Sequence, residues 1–172
     1  KPAHIGTHMS VEGFARYPYI ETGYRANYGL CDCLLSTFTF HNESANIWTH
    51  IIPFILEVIY LIYSIEQCLS DLPFGAFVSC WTGILGLLIC LGSSILYHIG
   101  GALPQATHDF LLQVDMSGVI FNAVGLTICW IYFGLVHMNE QLMVAYFFFL
   151  GIVTIVGMTM ASMSGHPEYG LK

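Results

Sequence analysis

Of the 172 residues, 56% are hydrophobic and only 9% are charged, and the formal net charge is −7. A water-soluble domain averages about a quarter charged residues, so a soluble globule is excluded and a membrane protein is the expected class. Four basic residues in all leave nothing to neutralise a row of phosphates, which excludes a nucleic-acid partner.

Residues 1–28 are polar, bear Gly, Pro and His, and read as a loosely ordered tail. Leu30, Leu34 and Phe38 then recur at helical spacing with Asp32 and Ser36 between them. The spacing predicts a short amphipathic helix within 29–41 that lies on the membrane surface, with a plain linker as the alternative. Cys31 and Cys33 fall in this stretch. Their C-x-C spacing is a weak metal signal and equally fits S-acylation or two unmodified thiols. Cys80, Cys90 and Cys129 lie inside apolar runs as small hydrophobes, and Cys68 lies in a short loop, so no disulfide framework is expected.

Four apolar stretches follow, at about 47–65, 74–97, 112–134 and 142–163. Each approaches or exceeds the ~20 residues that cross a ~30 Å hydrocarbon core. The expected fold is therefore an all-α membrane protein with four transmembrane helices over 42–172. Its connections are short, so neighbouring helices pack antiparallel. Gly83, Gly86, Gly118, Gly125, Gly151 and Gly157 lie within spans, where small residues let backbones approach. All Lys and Arg (Lys1, Arg16, Arg25, Lys172) flank the spans, which places both chain ends on the cytoplasmic side. The loop between the second and third spans shares that side.

Two stretches carry groups able to handle a metal or a proton. In the first, residues 41–57, Glu43, Asn46, His50 and Glu57 recur at offsets of three, four and seven along one helical face. They read as a polar seam that lines a cavity, supports a site or simply joins helices. Structural hydrogen bonding is the preferred role for Glu43 and Asn46. Pro53 kinks the helix beside this seam, and Glu57, near mid-membrane, is expected to face the bundle interior.

The second stretch is Ser93 to Gly118. Ser94 and His98 share a helix face at i, i+4. Asp115, about a turn inside the next helix, is expected opposite His98, and Asn122 lies seven residues on, on the same face. A neutral imidazole binds zinc, and a carboxylate can hold or deprotonate a metal-bound water. One His and one Asp do not make a zinc site, and an interfacial histidine is the plainer alternative. His108 and Asp109 read as loop residues facing water. His137 is in a short loop, and His4, His8 and His166 are in tails.

With those stretches in hand, the chain resembles the progestin and adipoQ receptor family, which includes the adiponectin receptors. Gly23-Tyr24-Arg25 resembles the family's segment before its first helix. Glu43-Ser-Ala-Asn46-Ile-Trp-Thr-His50 resembles its E-x-x-N-I-W-T-H segment. Ser94-x-x-x-His98, followed seventeen residues later by Asp115, resembles its Ser-His pair and the Asp of its third helix. The likeness is nearest to the branch represented by member four and covers the chain from about Tyr24 onward.

The resemblance implies a seven-helix bundle with a cytoplasmic amino terminus, of which this chain looks like the first four helices, as a fragment or a shortened product. It also implies a zinc ion held by three histidines, one of them corresponding to His98. Asp115 would position the zinc-bound water, with Ser94 beside it. The other two ligands would come from an H-x-x-x-H pair in a seventh helix. The only pair here with that spacing is His4 and His8, in the amino-terminal tail.

The implied function is a multi-pass membrane receptor that hydrolyses an amide lipid when complete, in the manner of a ceramidase. The four-helix chain is expected to be inactive alone. Ligands implied by the family are a membrane lipid, a steroid or a protein hormone, and the location is the plasma membrane or the Golgi and related membranes. The alternative is a non-enzymatic membrane scaffold or binding protein in which the polar residues only join helices.

Overall fold

The computed structural model describes residues 2–67, 71–135 and 139–163, and His137, His166 and Cys68 lie outside them. Nine segments follow in order. β1 (His4–Thr7) and β2 (Thr22–Ala26) pair antiparallel, and two 3-10 turns at His8–Ser10 and Gly13–Ala15 lie between them. Five helices follow among the described residues: α1 (Leu30–Ser36), α2 (Ser44–Gln67), α3 (Phe74–Gly100), α4 (Gln105–Leu135) and α5 (Glu140–Met163).

The amino-terminal stretch is thus a two-stranded ribbon and not the loosely ordered tail its polar composition predicts. Its order comes from long-range partners. Tyr24, Arg25 and Ala26 of β2 are all buried. The Tyr24 hydroxyl accepts from the Tyr17 amide at 2.8 Å and bonds the Ile20 carbonyl at 3.1 Å, closing the loop between the strands. Gly23 has φ of +88°, and a Cβ there would meet the Asn42 amide nitrogen at 3.1 Å. That amide donates to the Gly23 carbonyl at 2.9 Å. Only glycine allows both the backbone turn and the approach.

α1 begins where Asp32 accepts the Gly29 amide at 2.9 Å and ends after seven residues, shorter than the 29–41 segment predicted. Cys33 and Ser36 face inward, while Leu30, Leu34, Leu35 and Phe38 are exposed. That is the amphipathic pattern expected of a surface helix. Trp48 anchors the following junction by donating to the Thr37 carbonyl at 3.0 Å.

α2, α3, α4 and α5 are each long and apolar enough to cross a membrane, with window mean hydropathies of 1.6, 2.1, 1.8 and 2.2. All four run beyond the predicted spans. α4, at 31 residues and ~1.5 Å per residue, outruns a ~30 Å hydrocarbon core, so part of it stands clear of the core. Asn139 starts α5 by accepting the Leu142 amide at 2.9 Å.

α3 and α4 form the tightest pair. A tight connection through Gly101 to Pro104 sets the antiparallel register, which brings glycines against backbone. A Cβ on Gly86 would meet the Phe121 carbonyl oxygen at 2.7 Å, and one on Gly118 would meet Cys90 Cα at 3.0 Å. The two backbones lie this close because those positions carry no side chain.

Candidate functional site

The register of the α3–α4 hairpin decides which side chains meet. α4 starts at Gln105, earlier than predicted, so Asp115 lies nearly three turns into the helix and not about one. Its Oδ1 accepts the hydroxyl of Ser94 across the hairpin. Ser94 is buried. His98 lies one turn further on, ~6 Å along the axis of α3, in its last turn. The Ser94, His98 and Asp115 of the sequence reading thus form a hydrogen-bonded pair with a histidine beside it.

The partner of His98 comes from the turn that leads into α2. His98 Nδ1 lies 2.8 Å from Glu43 Oε2, and the same oxygen accepts Asn46 Nδ2 at 2.8 Å. The Glu43 carboxyl is 7% exposed. Its burial pushes the pKa up, but hydrogen bonds from His98 and Asn46 outweigh this and hold it below the ordinary carboxylate range. The group is therefore ionised and accepts only. The seam predicted as E-x-x-N-x-x-x-H assembles at this end: Asn46 buttresses Glu43, and His50 donates from Nδ1 to the Asn46 carbonyl at 2.6 Å. The His50 and His98 rings lie 5.4 Å apart between centroids.

Behind Glu43 stands a circuit of hydrogen bonds that sequence reasoning missed. The Glu43 amide donates to His41 Nδ1 at 3.1 Å, so His41 Nε2 carries the proton it gives to the Ser36 carbonyl at 3.1 Å. Burial, with the nearby Arg25 charge, lowers the His41 pKa and keeps the ring neutral in that role. Ser36 Oγ accepts Arg25 Nη1 at 3.1 Å. Arg25, 4% exposed, donates on to the Ile99 carbonyl at 2.8 Å and the His98 carbonyl at 2.7 Å. The last carbonyls of a helix lack partners within it, and the guanidinium fork supplies two of them. Of this circuit only Arg25 carried a sequence signal, through the Gly23-Tyr24-Arg25 likeness. His41 carried none, because its role depends on the turn between α1 and α2.

The other predicted groups separate. Glu57 lines a cavity of about 370 Å³ with Tyr60, Tyr63 and Ser64, well down α2 from His98. Asn122 lies against Gly86 at mid-helix with Oδ1 buried and no hydrogen bond among the described residues. His108, expected in a water-facing loop, is buried on α4 because that helix starts early. Its Nε2 lies 3.5 Å from the Tyr97 hydroxyl, and its Nδ1 lies 3.3 Å from Asp109.

Residues 38–169 match the family model described as Haemolysin-III related. The chain belongs to the Haemolysin-III related family. The matched stretch takes in all four membrane-crossing helices and both candidate site stretches. Gly23, Tyr24 and Arg25 lie ahead of it.

Among relatives of this Haemolysin-III related chain, the Drosophila melanogaster "Adiponectin receptor protein" is 31% identical over 73% of this chain and 27% of its own length. The Arabidopsis thaliana "Heptahelical transmembrane protein 1" is 33% identical over 59% of this chain and 32% of its own. The Mus musculus "Progestin and adipoQ receptor family member 3" is 26% identical over 88% of this chain and 49% of its own. The chain thus spans a quarter to a half of these relatives' lengths. It is an integral membrane protein of the family that holds the adiponectin and progestin/adipoQ receptors.

The residues can be tested against the zinc that the resemblance implies. A ligating histidine gives its second ring nitrogen to a carboxylate or carbonyl, and His98 does so toward Glu43. Asp115, held by Ser94 one turn away, suits a carboxylate that orients water. The fit is to one nitrogen ligand and one water-orienting carboxylate. Among the described residues no three of His, Cys, Asp or Glu gather as a metal site, so these groups do not complete a tetrahedral set.

Proposed function

We propose that this chain carries the first half of a zinc-dependent lipid amide hydrolase site within a multi-pass membrane receptor, a site that two further histidines from later helices would complete. The observation that supports this most is His98, with Nδ1 given to the buried Glu43 carboxylate and the Ser94–Asp115 pair one turn away. When bound, zinc would polarise the lipid carbonyl and lower the pKa of water. In this reading His98 binds through Nε2. Asp115 orients the attacking water and takes its proton, and Ser94 holds Asp115 in place. The name "Heptahelical" of the Arabidopsis relative agrees with three helices beyond the four described.

The ligand or substrate proposed is a membrane lipid such as a ceramide, and a steroid or protein hormone is the alternative ligand class. This reading sets the amino-terminal ribbon on the cytoplasmic side, and it is supported by Arg16 and Arg25 ahead of the first span and by the lack of Lys or Arg between Arg25 and Lys172.

The test is metal analysis and ceramide hydrolysis on the longest natural protein that carries this sequence. His98→Ala is expected to abolish both bound zinc and hydrolysis. Full zinc occupancy in that variant would overturn the assignment. A second reading, a non-enzymatic scaffold, is favoured by the fact that the Glu43–His98 bond also ties the start of α2 to the end of α3. Unchanged hydrolysis-independent function in His98→Gln, with zinc absent from the wild type, would select it.

A further inference from the structure

We infer that Glu43 is the positioning residue of the site: it fixes the tautomer and ring orientation of His98 so that Nε2 is the nitrogen presented to a ligand. This rests on, and deepens, the zinc reading above. The preferred sequence expectation gave Glu43 a merely structural hydrogen bond, and the geometry asks more of it.

Glu43 Oε2 receives Asn46 Nδ2 and His98 Nδ1, each at 2.8 Å. The oxygen that accepts the Asn46 amide serves as acceptor for the ring as well, so the proton of that second contact is assigned to His98 Nδ1. In the neutral form of the ring the lone pair then lies on Nε2. That nitrogen makes no hydrogen bond among the described residues. A contact serving only to join α2 and α3 could use either ring nitrogen. This one uses Nδ1 and leaves Nε2 available on the helix that carries the Ser94–Asp115 pair.

The ring is held at both ends of its side chain. Its backbone is fixed because Arg25 takes the His98 and Ile99 carbonyls at 2.7 and 2.8 Å. Glu43 is itself fixed, its amide bonded to His41 and its carboxylate braced by Asn46. A ligating histidine held in this way loses little freedom on binding, and loss of such a supporting carboxylate typically costs about 10–100-fold in metal affinity.

The test has two arms on the full natural protein in lipid nanodiscs. In the first, metal is stripped, histidines carry ¹⁵N labels, and His98 is assigned by its loss in His98→Gln. Wild type is expected to show a protonated Nδ1 and an unprotonated Nε2. Glu43→Leu is expected to shift His98 toward the Nε2-protonated form. Glu43→Gln keeps an acceptor oxygen and is expected to retain much of the wild-type tautomer, and it serves also if the leucine variant does not fold.

In the second arm zinc alone is titrated. Glu43→Leu is expected to weaken binding by about 10–100-fold, and Glu43→Gln by less. A wild-type His98 protonated on Nε2, or a Glu43→Leu variant with unchanged tautomer, overturns the inference. If wild type binds no zinc while the tautomer still follows Glu43, the positioning role stands and the zinc reading falls.

Discussion

Gly125 of α4 lies directly against Thr82 of α3: a Cβ added there would come to 2.9 Å of the Thr82 carbonyl carbon and 3.2 Å of Gly83 Cα. The obstacles are backbone atoms, which cannot rotate away. Gly125→Ala is therefore expected to push α3 and α4 apart, with a loss of about 1–3 kcal/mol. Gly151→Ala, where nothing lies within 4 Å of the new methyl group, is expected to change stability by less than about 1 kcal/mol. Reversible unfolding of both variants in mixed micelles checks the contrast. Equal losses would refute the packing account.

Removing Arg25 leaves the His98 and Ile99 carbonyls and Ser36 Oγ without their donor. Arg25→Met is expected to cost about 2–4 kcal/mol, since bonds to a charged donor are each worth ~1.5–3 kcal/mol and the acceptors stay buried. Arg25→Lys is expected to restore little, because an ammonium cannot fork to three acceptors as a planar guanidinium does. Amide exchange at the end of α3 should speed up in both variants. Full protection in Arg25→Lys would show that charge alone suffices.

The circuit around Glu43 responds to acid in two stages. Burial, with the Arg25 charge, lowers the His41 pKa below its ordinary 6.5, and hydrogen bonds hold the Glu43 pKa below its ordinary 4.5 against the opposing effect of burial. For both groups the unfolded chain binds the proton more readily. Each contribution is therefore complete above its ordinary value and is lost as pH falls toward the lowered one. Stability is expected to decline first below about pH 6.5 and again below about pH 4.5. His41→Gln should flatten the upper stage only. A melting temperature constant from pH 7 to pH 5 in the wild type would contradict the neutral role of His41.

Ser94 and Asp115 can be separated by function. On the zinc hydrolase reading proposed above, Asp115→Asn is expected to lower hydrolysis by about 100-fold or more through loss of the proton acceptor. Ser94→Ala is expected to lower it less, by freeing Asp115 to turn. Both variants should keep zinc bound through His98. Zinc loss in Asp115→Asn would make Asp115 a metal ligand and not an orienter of water.

The long helices were legible because length and hydropathy alone dictate them. Their ends were not. Pro104 and the tight turn before it let α4 begin at Gln105, and that early start puts His108 on the helix, where it is buried. Helix-face periodicity puts Glu43, Asn46 and His50 on one side, and hydrogen bonds through Asn46 link them. It could not show that Glu43 reaches His98, because periodicity orders residues within one helix and says nothing of the neighbour 55 residues away. The amino-terminal ribbon was illegible for the same reason. Its polar composition predicts a loose tail, and its order comes from contacts with residues 42, 98 and 99.

The span of 73 and 74 residues between Arg25 and its acceptors on α3 also sets a schedule for assembly. At ~5–20 residues per second of synthesis, Arg25 exists for several seconds before His98 and Ile99 are made. Arg25 can dock only after α2 and α3 have both been made and the end of α3 has come back to the side where Arg25 waits. Its docking thus reports that the first helical hairpin has been threaded with the correct topology.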